Sequence, residues 1–147
     1  MNIEIKYLKW LVACLLLVSC NKSKEGLVSN LDEFNKAVAN LQPGDEIIMA
    51  NGTWENVELL FEGKGLAETP IFLKAETPGK VSISGQSNLR IAGDYLDVSG
   101  LVFKNGFTPT SEVISFRKNK ENLANNSRIH NCVIDNFNNP ERFDADF

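Results

Sequence analysis

The chain has 147 residues, 43% hydrophobic and 23% charged, with 15 Lys and Arg against 19 Asp and Glu for a formal net charge of −4. That length holds one domain, and that balance excludes intrinsic disorder. A mildly acidic chain is also a poor ligand for phosphate backbones, so no nucleic-acid partner is expected.

Residues 1–19 read as an export signal. Lys6 and Lys9 precede Leu11–Val18, an apolar run too short to span a bilayer as an ordinary helix. Leu17-Val18-Ser19-Cys20 resembles the lipobox of bacterial lipoproteins, which implies cleavage before Cys20 and a lipid on its thiol. The expectation is a lipoprotein signal peptide over 1–19, a polar tether over 20–29, and an exported protein anchored through Cys20 to the membrane of the cell envelope. A plain secretory signal or a buried N-terminal helix is the alternative. Cleavage there removes Glu4, Lys6 and Lys9, taking the formal charge from −4 to −5. Cys14 leaves with the signal, and Cys132 is then the only unmodified cysteine, so no internal disulfide can form. Inside an apolar run, Cys132 reads as a buried, unreactive thiol.

Asn30–Leu41 has the pattern of a helix. Leu31, Phe34, Val38 and Leu41 share one face, Asn30 and Glu33 are spaced as a capping box, and Pro43-Gly44 ends the pattern. Ile47–Ala50 reads as a strand, Asn51-Gly52-Thr53-Trp54 as a turn, Val57–Phe61 as an apolar run and Glu62-Gly63-Lys64-Gly65 as a flexible corner. The last is no phosphate loop, because the spacing is wrong and no helix follows.

Pro70–Phe107 organises the rest. It holds five short β-rich runs, Ile71–Lys74, Val81–Ser84, Leu89–Ala92, Tyr95–Ser99 and Leu101–Lys104, separated by turn residues. Ile47, Ile71 and Tyr95 open similar runs at a step of 24 residues, and Val81–Gly85 returns at Leu101–Gly106 after about 20. A strand repeat in the twenties predicts an all-β solenoid, a parallel β-helix, with the helix at Asn30 capping its open end.

Val113–Phe116 is a further strand, Arg117–Ser127 a polar excursion, and Arg128–Ile134 resumes the repeat. Val102–Asn105 and Val133–Asn136 align at a step of 31, so Asn105 and Asn136 occupy equivalent turns and are expected to bond along the solenoid axis. The stretch from Asn139 to Phe147 does not look like a closing cap, and residues 30–147 read as the first coils of a longer solenoid.

The residues that could carry chemistry are few. His130, the one histidine, is expected on the strand face of Arg128 and Cys132, and a His–Cys pair without a third orienting group is no nucleophile–base unit. No His or Cys spacing fits zinc, and Asp94 and Asp97 are too isolated for a calcium site. Asn51-Gly52-Thr53 and Asn125-Asn126-Ser127 match the glycosylation pattern, incidental in a bacterial lipoprotein. Arg117, Lys118 and Lys120 read as a solvated basic loop, with anion binding the sharper alternative.

Four segments together resemble polysaccharide lyase family 6, the family of alginate lyases and chondroitinase B. They begin at Leu41 (LQPGDEIIMANGTW), Pro70 (PIFLKAETPGKV), Gly93 (GDYLDVSGLVFKNG) and Asn126 (NSRIHNCVIDNF). The resemblance covers residues 30 to 140 and implies a right-handed β-helix that cleaves uronate polysaccharides by β-elimination. It further implies a calcium ion that neutralises the substrate carboxylate, a Lys base and an Arg. Those family residues align beyond Phe147, so no catalytic and no metal-binding residue is assigned in this chain, and the chain alone is expected to be inactive. The implied partner is an acidic polysaccharide, alginate first. A non-catalytic polysaccharide-binding or adhesive β-helix, or a lyase of the chondroitin, dermatan or pectate type, is the competing reading.

Overall fold

The computed structural model describes residues 26–138; the assignments made above for the signal, for Cys20 and for the final segment lie outside the described residues. The described chain is wound from short parallel strands stacked in three sheets. The sheet labelled A holds β1 (Leu27–Val28), β2 (Glu46–Met49), β5 (Ile71–Ala75), β8 (Leu96–Ser99) and β12 (Arg128–His130). Sheet B holds β3 (Gly52–Glu55), β6 (Val81–Gln86), β9 (Leu101–Phe107) and β13 (Val133–Phe137). Sheet C holds β4 (Glu58–Lys64), β7 (Asn88–Asp94), β10 (Ile114–Ser115) and β11 (Ala124–Asn125). The chain visits A, B and C in turn, which is the parallel β-helix predicted.

Alternation puts one side chain in two inside. Ile47, Leu73 and Val98 in sheet A, Ile83 and Phe103 in B, and Leu59, Phe61, Leu89 and Ile91 in C are almost wholly excluded from water. Each coil lays its apolar residues on those of the coil below, so the interior is one continuous stack.

The pairing register refines the repeat. Ile47 pairs with Leu73, a step of 26, and Leu73 with Val98, a step of 25, rather than the 24 read from the onsets of the runs. The step of 31 is the register observed, with Val102 opposite Val133 and Asp97 opposite Arg128. Corners need left-handed backbone, and they use asparagine for it. Asn56 (φ 55) sits where β3 of sheet B turns to β4 of sheet C, and Asn105 and Asn136 (φ 54 and 48) lie near the ends of β9 and β13, within strands rather than in the turns expected of them. Asn is the residue other than Gly that best tolerates this region. No side-chain hydrogen bond joins Asn105 to Asn136. The axial bonding expected of them is found at Asn51 and Asn56 instead, whose Oδ1 atoms accept from Thr77 N–H at 3.1 Å and Gln86 N–H at 2.9 Å.

Helix α1 spans Leu31–Val38, shorter than predicted. Asn30 Oδ1 accepts from Glu33 N–H at 2.9 Å and Glu33 Oε2 accepts from Ser29 N–H at 2.7 Å, a capping box whose return bond falls one residue early. Asn40 Nδ2 donates to the Lys36 carbonyl at 2.7 Å and stops the helix before Pro43. Phe34 is fully buried, with Leu31, Val38 and Leu41 packed against the core, so α1 covers the first coil as predicted.

Several local assignments change. Leu27–Val28, inside the predicted tether, forms β1 and pairs with Ile48–Met49. Gly52–Glu55 is a strand rather than part of a turn. Trp54 points into the core there, and its Nε1–H donates to Ala50 O at 3.1 Å. Glu62–Lys64 is no corner but the end of β4, paired with Ala92–Asp94. Arg128–Ile134 is two strands on two sheets, divided by a left-handed Asn131 at φ 52.

Candidate functional site

Sheet A is where charge gathers on the outer surface. Its inward positions are apolar, and the outward positions between them form two columns across the coils. One column is Glu46, Phe72, Asp97 and Arg128; the other is Ile48, Lys74, Ser99 and His130. Parallel pairing stacks residues of successive coils side by side, so polar groups far apart in sequence become neighbours.

Asp97 is the centre. It is the one buried carboxylate among the described residues, with its side chain only 6% exposed. Arg128 Nε reaches its Oδ2 at 2.6 Å and His130 Nε2 its Oδ1 at 2.9 Å. A carboxylate taken from water needs such partners, and two donors from the next coil supply them. Arg128 itself stays 72% exposed, with guanidinium N–H groups free to meet an anion. One coil away, Lys74 Nζ sits 2.6 Å from Glu46 Oε2 and 4.5 Å from the centre of the Phe72 ring.

The His–Cys pairing considered from sequence does not form. Asn131 turns the chain between the two residues, so Cys132 leaves the face of Arg128 and His130 and packs against the core. Its Sγ accepts from Leu101 N–H at 3.4 Å, and desolvation pushes the thiol above its ordinary range. Among the described residues, the only hydrogen-bond partner of His130 is Asp97. No nucleophile–base pair exists here, and no group of three or more His, Cys, Asp or Glu among the described residues could hold a metal.

The Asp97 cluster was missed in the sequence, where Asp97 was weighed only against Asp94 as a metal ligand. The signal was present. The step of 31 that aligns Val102 with Val133 also carries Asp97 onto Arg128.

The basic loop is more ordered than a solvated excursion. Residues 116–124 form a hairpin, with Lys118 N–H donating to Asn122 O at 2.8 Å and Ala124 N–H to Phe116 O at 2.9 Å. Lys118 Nζ lies 2.8 Å from Glu62 Oε2, and Arg117 pairs with Glu112. That contact holds the Glu112 carboxyl below its usual range.

A family model described as Chondroitinase B matches residues 28–147. No curated protein matches the chain. Among solved structures, the PL6 family alginate lyase AlyGC, in a mutant form, is 56% identical with a TM-score of 0.80 over 83% of this chain. A mannuronic acid specific polysaccharide family 6 lyase from human gut microbiota is 36% identical, with a TM-score of 0.73 over 79% of this chain. The chain spans 17% of the first of these and 27% of the second. It therefore belongs to the Chondroitinase B family and carries part of a family 6 polysaccharide lyase fold.

Proposed function

We propose that this chain contributes the first coils of a lyase that cleaves a uronate polysaccharide, alginate foremost, by β-elimination. The outer face of sheet A is the start of its sugar groove. The observation that carries this reading is the 56% identity to an alginate lyase over 83% of the chain. The physical support is the character of the face. A polyuronate presents a carboxylate on every sugar, and this face offers Arg128 and His130 as donors from β12 and, two coils away beside the Phe72 ring, Lys74 from β5. Buried Asp97 fixes two of those donors in advance, which lowers the ordering cost of binding.

The roles of these residues are binding and orientation. Calcium, implied by the family resemblance, does not fit the described residues: they hold no suitable donor cluster, and both oxygens of Asp97 are already engaged, by Arg128 and His130. Proton transfer and charge neutralisation are therefore assigned to later coils of the parent enzyme, and the chain alone is inactive. Export and anchoring through Cys20 belong to the same reading, supported by the lipobox pattern.

The test pairs an assay with a binding map. The chain incubated with alginate and calcium should give no rise in the ultraviolet band of unsaturated uronate. In nuclear magnetic resonance spectra, trimannuronate should shift the amides of Lys74, Arg128 and His130, with affinity falling at least tenfold in Arg128→Gln. Unsaturated product from the chain alone would overturn the absence of catalytic residues. Unmoved sheet A amides would overturn the groove.

A further inference from the structure

On sheet C, away from the charged face of sheet A, Arg90 of β7, residues 110–115 and the 116–124 hairpin line an open pocket of about 400 Å³. Its cationic wall is Arg90, Arg117, Lys118 and Lys120. Two of these are spent, Arg117 on Glu112 and Lys118 on Glu62. Arg90 and Lys120 have no carboxylate partner among the described residues. Arg90 goes further: its Nε is shut away from solvent and has no hydrogen-bond partner among the described residues. An unpaired guanidinium N–H shut from solvent is rare and calls for an explanation, a bound water or ion among them.

We propose that this pocket is an oxyanion site, with Arg90 and Lys120 as the two lining cations that meet the ligand. The ligand chemistry is a carboxylate or sulfate group, borne by an acidic sugar or free in solution. The two ion pairs frame the site: Glu62 and Glu112 hold Lys118 and Arg117 against the wall, while Ser115 and Asn119 add polar lining. This site does not depend on the sheet A groove, and a ligand could occupy either alone.

The full chain, labelled with ¹⁵N, is titrated separately with sodium sulfate and with trimannuronate, following amides 110–120. Saturable shifts there are expected, weakened at least tenfold in Arg90→Gln and severalfold in Lys120→Gln, and unchanged in Arg128→Gln. Saturation by sulfate alone identifies a free-anion site; saturation by trimannuronate identifies a sugar-borne carboxylate. If Arg90→Gln fails to fold, Lys120→Gln decides. No saturation with either probe, or equal affinity in Lys120→Gln and in any folded Arg90→Gln, overturns the proposal. Shifts confined to sheet A support the groove and overturn this site.

Discussion

The second coil and the fourth share a backbone path and are held by different forces. In the second, Ile71, Leu73, Val81, Ile83, Leu89 and Ile91 are sealed between neighbouring coils. In the fourth, Val133 and Ile134 are 51% and 54% exposed, and of the strand residues only Phe137 is buried, its ring edge-on to Phe103 at 5.8 Å. What fastens the fourth coil to the third besides the strand ladder is largely polar. Leu96 N–H donates to Ser127 Oγ at 3.1 Å, Leu101 N–H to Cys132 Sγ, and Arg128 and His130 grip Asp97. A solenoid coil buried on both sides is stabilised by area, whereas one with a single described neighbour depends on directed contacts.

The contrast can be broken most sharply at Leu73. Leu73→Ala should lower unfolding free energy by about 3 kcal/mol, against less than about 1 kcal/mol for Ile134→Ala. Equal losses in urea denaturation would mean that the two coils are held alike. Asp97→Ala should cost about 1–2 kcal/mol, and the effect should be local. Hydrogen exchange should accelerate at Ile129 in β12 while the amide of Ile48 in β2 keeps its protection; uniform acceleration would show that Asp97 supports the whole stack.

The smallest effect is at Cys132. Burial favours its neutral thiol, so its folded pKa is raised, and the stability it contributes is complete below the unfolded pKa. That contribution is lost as pH climbs from the ordinary thiol range through the raised value. Thiol labelling of the folded chain should lag behind a free cysteine at pH 8–9, and Cys132→Ser should remove the alkaline fall in unfolding midpoint. Labelling as fast as free cysteine would place the thiol in water.

The strands β5 to β9 were legible because their apolar runs are bounded by turn residues and buried by neighbours on both sides. Where a strand is short and opens on Asn51-Gly52, the turn signal outweighs it, and β3 was lost although Trp54 marks its inward side. Gly63 and Gly65 masked the end of β4 in the same way. Close packing explains the glycine at 65: a Cβ there would lie 2.6 Å from the Tyr95 backbone oxygen. The polar cluster around Asp97 was hidden for another reason. Its members are 31 and 33 residues apart, and only an accurate register brings them together.

The hairpin over sheet C bears on how this architecture can vary. Arg117 and Leu123 are bridged, so the segment leaves the stack and re-enters it at nearly the same place. β10 and β11 then both lie on β7, and the coil resumes in register as if nothing had been inserted. Lengthening such a closed loop carries a chain-entropy penalty that grows only slowly with its length. The tip between Lys118 and Asn122 is thus a place where sequence can be exchanged, or a peptide grafted, without disturbing the winding of the coils on either side.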